Sequence, residues 1–198
     1  MNLILASQSS TRRAMLEAAG VTFDAMTPGV DEESAKASLR AQGLSARDLA
    51  DALAELKALR LSQRIPGALV LGSDQTLALD DGTMLDKAAD RATAAEQLGQ
   101  LSGRTHSLYS AAVIAENGRA VWRHVDRARL TVRPLSDAFI DEYLDAEFAS
   151  IAGSVGCYRV EGRGGQLFSR IEGSHFTILG LPLLPLLDYL RTRGLLTS

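Results

Sequence analysis

A single cysteine, Cys157, stands in this chain of 198 residues, so no intramolecular disulfide can form. The absence of any CxxC or Cys/His cluster also argues against structural zinc, and a reducing interior is the simplest setting. Long apolar runs are missing too: nothing approaches the roughly 18–20 residues that span a bilayer. The N-terminal run Leu3-Ile4-Leu5-Ala6 is too short, and lacks the basic flank, to serve as a signal peptide. These absences predict a cytoplasmic protein with no membrane partner. A basic surplus is lacking as well: the net charge is −3, which argues against a general nucleic-acid binder while leaving room for a local anion site.

Several catalytic signatures are absent. There is no GxxxxGK[ST] phosphate loop, and Gly162-Arg163-Gly164-Gly165 does not continue as GxGxxG. Ser154 lacks the glycine two places earlier that a nucleophile elbow needs. His106, His124 and His175 fall in separate elements without HExxH spacing, so they read as structural or surface residues.

What is present is an ordinary globular composition, 46% hydrophobic and 23% charged, in a chain long enough to bury a substantial core. The pattern predicts a strand over Asn2–Ala6, a helix over 11–19 with Gly20 at its C-terminus, a second strand over Val21–Met26, and Asp31-Glu32-Glu33 in a loop. A helix over Ala46–Leu61 carries Leu49, Leu53, Leu56 and Leu59 along one face, with Lys57 at its flank. Ala68–Leu71 reads as a buried strand broken by Gly72-Ser73-Asp74-Gln75 and resumed by Thr76–Leu79. Asp90 caps a helix through Leu101. His106–Ala115 and Ala120–Val132 form a hairpin about Asn117-Gly118, and Ser136–Leu144 gives another helix. Gly153–Gly173 reads as loop and hairpin, and Leu181–Arg193 as a closing helix with Pro182 in its first turn. Early alternation followed by antiparallel pairing predicts an α/β fold, a mixed sheet with helices on its faces, in a single domain over 1–198.

Two stretches carry chemical interest. Ser7-Gln8-Ser9-Ser10-Thr11-Arg12-Arg13 places hydroxyls and two guanidiniums at a helix N-terminus, which is already partly positive. Either an anion such as phosphate belongs there, or Ser9 or Ser10 merely caps the helix and the arginines are solvated. Asp74, at the mouth of a buried strand, either caps a turn or is poised for acid–base or metal work. Glu32, Lys57 and Lys87 are unexceptional singly and gain weight only by convergence with these two.

Taken together, these segments resemble the Maf family of nucleoside triphosphate pyrophosphatases. Leu5–Arg13 is similar to that family's opening signature, with Ser10 where proline is usual. Val30-Asp31-Glu32, Lys57-Ala58, Lys87 (followed by Ala88 rather than proline), Leu101-Ser102-Gly103-Arg104-Thr105-His106 and Ile171-Glu172-Gly173-Ser174 with Leu179-Gly180-Leu181-Pro182-Leu183 follow in order. The resemblance implies an elongated mixed sheet flanked by helices, with two lobes around a nucleotide cleft, as in Maf and ITPase-like proteins, and a homodimer. It implies hydrolysis of the α–β phosphoanhydride of a nucleoside triphosphate with Mg²⁺ or Mn²⁺. In that scheme Asp74 is the general base, and Glu32 with Asp74 holds the metal. Lys57 and Lys87 are catalytic cations, while Ser7, Ser9, Arg12 and Arg13 bind phosphate. Thr11, Gln75 and Glu161 select the base. Gly72-Ser73-Asp74-Gln75 and Val160-Glu161-Gly162 resemble the 7-methyl-GTP branch more than the dTTP/UTP branch, although Thr11 stands where the former has tryptophan. A carboxylate at 161 can accept from a guanine's N1–H and amine. The alternative is a non-catalytic nucleotide-binding regulator of cell division.

Overall fold

The computed structural model describes residues 2–197. Two compact units divide the chain. The first comprises the chain up to Gln75, Tyr109–Asp126 and the segment from Ser174 onward; the second comprises Thr76–Leu108 and Arg127–Gly173. The secondary structure is mixed α/β, as the alternation predicts. It contains β1 (Leu3–Ala6), α1 (Ser10–Ala18), β2 (Asp24–Met26), α2 (Glu32–Ala41), α3 (Ala46–Ser62) and β3 (Leu69–Leu79). Next come β4 (Met84–Leu85), α4 (Arg91–Leu101), β5 (Thr105–Glu116), β6 (Arg119–Val132) and α5 (Asp137–Ile151). A 3₁₀ turn (Arg163–Leu167), β7 (Phe168–Glu172), α6 (His175–Ile178) and α7 (Leu183–Thr192) complete the order. The sheet pairs in the order β2-β1-β3-β5-β6-β7, with β4 on β3.

In the first unit β1 pairs in parallel with both β2 and β3, with Leu3, Ile4 and Leu5 opposite Leu69, Val70 and Leu71. β1 and the Leu69–Leu71 part of β3 are apolar on both faces because both faces are covered, whereas β2 is exposed. On one side Leu3, Leu5, Leu69 and Leu71 pack with Met15 and Leu16 of α1 and with Leu183, Leu186 and Leu190 of α7. Ile4, Ala6 and Val70 pack with Leu61 of α3. In the second unit β7 returns antiparallel to β6, with Leu130 opposite Ile171. The Asn117-Gly118 turn has positive φ at both residues, the geometry a two-residue hairpin requires.

Four sequence expectations are corrected. Asp31-Glu32-Glu33 is not a loop: the Asp31 carboxylate accepts from Ser34 N as an N-cap, and Glu32 opens α2. The strand over 69–79 is unbroken, since ladder pairing continues through the polar insert. Ser136–Leu144 extends to Ile151 as α5. Lys57 does not flank the apolar face of α3 but lies within it. The buried positions are Ala46, Leu49, Ala50, Leu53, Ala54, Lys57, Ala58, Leu61 and Ser62, a helical stripe that excludes the half-exposed Leu56.

Candidate functional site

Gly72 determines what happens on β3. A Cβ there would lie 2.0 Å from the Ala54 carbonyl oxygen and 2.7 Å from Ala58 N, so only glycine lets the backbone of α3 approach the strand this closely. The alanines at 50, 54 and 58 also pack with Ala111, Val113 and Ala115 of β5. Lys57, one residue from Ala58, is therefore buried at 4% exposure and reaches the residue two places past Gly72. Its Nζ donates to Asp74 Oδ1 at 2.7 Å and pairs with Glu32 Oε2 at 3.0 Å. The Asp74 side chain is mostly buried, whereas that of Glu32 is about half-exposed.

Arg12 is the second buried cation of this unit. Its Nε donates to Gly180 O at 2.8 Å and a terminal nitrogen donates to Ser73 O at 3.1 Å, with Ser7 Oγ more distant at 3.5 Å. Burial pulls the guanidinium down from the ordinary arginine range, and the charges of Asp74 and Glu32 oppose that shift. Lys57 thus meets both carboxylates directly, whereas Arg12 feels their charge while donating chiefly to main-chain oxygens.

Other predicted residues are distributed less uniformly. Ser9 is the N-cap of α1, its side chain accepting from Arg12 N, so of the two serines proposed as caps this one acts. Ser7 Oγ accepts from Ser9 N. Thr11 is half-buried on the first turn of α1, and Arg13 is exposed. Gln75 Nε2 is engaged by Ser110 Oγ, Thr177 O and Ile178 O at 2.9–3.0 Å, so its amide braces the 177–180 turn. Lys87 and Glu161 belong to the second unit. Lys87 is exposed and its backbone bridges to Val155; Glu161 pairs with Arg159 at 3.0 Å.

A profile for Maf-like proteins matches residues 2–193. This chain belongs to the Maf family. Curated relatives cover nearly all of it. A nucleoside triphosphate pyrophosphatase of Sphingopyxis alaskensis is 54% identical over 98% of each chain. One of Caulobacter vibrioides is 53% identical over 98% of this chain and 96% of its own. A 7-methyl-GTP pyrophosphatase of Rhizobium meliloti is 52% identical over 97% and 96% respectively.

Several of the Maf motif residues fall at ends of elements, while Lys57 and Asp74 lie inside α3 and β3. Ser7 to Arg13 joins β1 to α1, Glu32 opens α2, and Leu101–His106 joins α4 to β5. Sequence reasoning missed Ser73 and Ser110, both fully buried, and the role of Gly72. A glycine inside an otherwise apolar strand was the available signal, since it marks close backbone approach.

Divalent-metal chemistry can be tested against these residues. Among the described residues no group of three or more His, Cys, Asp or Glu side chains gathers. Glu32 and Asp74 offer two hard carboxylate donors in reach of one ammonium. Mg²⁺ is commonly held by one or two carboxylates plus substrate phosphates, so the donor set fits.

Proposed function

We propose that this chain hydrolyses nucleoside triphosphates between the α and β phosphates, giving a nucleoside monophosphate and diphosphate. The observation that carries the reading is the buried Lys57 ammonium set between Asp74 and Glu32, a paired acid and cation within a polar stretch of β3. Asp74 takes a proton from water as the water oxygen bonds to the α-phosphorus. The bridging P–O bond breaks, and the electron pair leaves with diphosphate. A well-placed base of this kind contributes on the order of 10²–10⁴ in rate. Glu32 orients the attacking water, and Lys57 and Arg13 offset the charge of the triphosphate. Glu32 and Asp74 would hold Mg²⁺ or Mn²⁺, which supplies charge neutralisation and a more acidic water.

For the base, a modified or non-canonical nucleotide is the preferred substrate, 7-methyl-GTP ahead of dTTP or UTP. Glu161 supports this, since a carboxylate suits both the donor edge of guanine and the positive charge that N7 methylation creates. The 7-methyl-GTP pyrophosphatase named among the relatives points the same way. Thr11 offers no stacking platform, so base binding is weaker by about 1–3 kcal/mol than with an aromatic ring there. A cytoplasmic homodimer completes the proposal; no described helix is long and apolar enough to cross a membrane. Sedimentation of the purified protein reads the dimer.

The deciding experiment incubates the protein with 7-methyl-GTP, dTTP, UTP and the common nucleotides with Mg²⁺ or Mn²⁺, and separates diphosphate from orthophosphate. Diphosphate release supports the reading. Orthophosphate alone overturns it, and binding without any product favours a non-catalytic regulator.

A further inference from the structure

Arg12 does not have the surroundings of a cation waiting for a ligand. It is nine-tenths buried, and its Nε and one terminal nitrogen are engaged by the main-chain oxygens of Gly180 and Ser73. Ser73 Oγ closes the triangle by donating to Gly180 O at 3.1 Å. Gly180 has φ +98°, a conformation glycine adopts freely, and it is this turn that presents its carbonyl to the Arg12 Nε.

The same turn is held from its other end. Gln75 Nε2 donates to Thr177 O and Ile178 O, and Ser110 Oγ donates to Thr177 O at 2.7 Å. Thr177, fully buried, donates in turn to Asp126 Oδ2. The turn is thereby pinned to β3 at Ser73 and at Gln75, the residues on either side of Asp74. Strand alternation sends the Asp74 side chain to the opposite face, where Lys57 meets it.

We infer that Arg12 is a positioning residue, a staple that fixes the β3 backbone around Asp74 and so aims its carboxylate at Lys57, and that Arg13 is the arginine that meets phosphate. This rests on the pyrophosphatase reading for its kinetic consequence. Adjacent helix positions do not face the same way, so the two arginines divide these tasks. Arg13 is the exposed one.

Arg12→Lys keeps a cation but cannot bridge two carbonyls, because lysine is a point charge without the guanidinium fork. With 7-methyl-GTP and Mg²⁺, kcat falls about 100-fold while KM stays within about threefold; Arg13→Lys gives the reverse split, KM rising about tenfold at retained kcat. Gly180→Ala puts a side chain at φ +98°, which strains the turn that receives the guanidinium without altering any charged group; it reproduces the Arg12→Lys pattern, and it decides the matter if Arg12→Lys does not fold. Amide hydrogen exchange supplies a readout independent of turnover. In the nucleotide-free protein, segments 70–76 and 174–182 exchange faster in Arg12→Lys and not in Arg13→Lys. A raised KM at unchanged kcat in Arg12→Lys, or unchanged exchange in both segments, overturns the staple. Absence of turnover in the unmodified protein overturns the pyrophosphatase reading alone and leaves the exchange data to decide the staple.

Discussion

In the first unit Arg12 and Lys57 are buried beside Asp74 and Glu32, cations set against anions. In the second unit an equally buried polar set carries no formal charge: His106, Tyr158, Tyr143, Cys157 and Gln97. His106 Nε2 is 2.7 Å from the Tyr158 hydroxyl, Tyr143 donates to Cys157 O, and Cys157 Sγ donates to Gln97 Oε1. Phe168 packs edge-on against Tyr158 and near the His106 ring. Arg12 and Lys57 are nearly as buried as these groups, so burial alone does not decide ionisation. In the second unit desolvation dominates. It pushes His106 down to about 4, against the weaker opposing charge of Asp80, and Cys157 up to about 11. The Tyr158 and Tyr143 hydroxyls are raised for the same reason. In the first unit each cation has carboxylates close by, and that is where charge is available for chemistry.

The largest effect that tests this contrast is at Asp74. Asp74→Asn keeps the shape but removes the base, and kcat for nucleotide hydrolysis drops by roughly 10²–10⁴ while the thermal midpoint moves only a few degrees. Unchanged kcat would remove Asp74 from the base role. Gly72→Ala comes next. Its methyl would lie 2.0 Å from the Ala54 carbonyl oxygen, so α3 must move off the strand. Denaturant melts show a loss of about 3 kcal/mol, at the upper end of ordinary overpacking, and the Lys57–Asp74 pair opens with it.

His106 tests the neutral set through pH. Its folded pKa lies near 4 against an ordinary value of 6.5, so between these limits the unfolded chain binds a proton that the folded chain refuses. Stability is therefore full above about pH 6.5 and declines as pH falls toward 4, by about 3 kcal/mol in all. In His106→Phe that slope flattens, while kcat at neutral pH is kept; urea melts at pH 7, 6 and 5 read it. A slope that persists in the variant assigns the acid sensitivity to other groups.

The smallest effect concerns the metal. Lys57 is paired with both carboxylates proposed to hold it, so in the nucleotide-free protein a dication meets an ammonium already in place. Lys57→Met binds Mn²⁺ without nucleotide about tenfold more tightly, a change of roughly 1.4 kcal/mol, as read by titration calorimetry. Equal affinity in the two proteins would show that Lys57 does not compete with the cation.

Much of the fold was legible because it is local. β1 and α1, the Asp90-capped α4 and the Asn117-Gly118 hairpin each rest on periodicity, a cap or a turn dipeptide within a few residues. Two of the misreadings share a cause. Lys57 reads as flanking the leucines of α3, but the buried stripe takes in Ala54, Lys57 and Ala58, because Gly72 lets that part of the helix touch the strand. The polar insert at Gly72–Gln75 read as a break, yet its side chains find partners on the 177–180 turn and on α3, which are remote in sequence.

By itself, then, the sequence determined the family, the order of elements and the identity of the charged residues, since ordered motifs and short-range patterns are properties of the chain. The tertiary structure alone decided what those residues do to one another. It buried Arg12 against carbonyls, placed Lys57 between two carboxylates and turned Gln75 into a brace for a turn about a hundred residues away in the chain. Those assignments depend on which backbones approach closely enough to exclude water, and that is set by packing between segments that no local pattern connects.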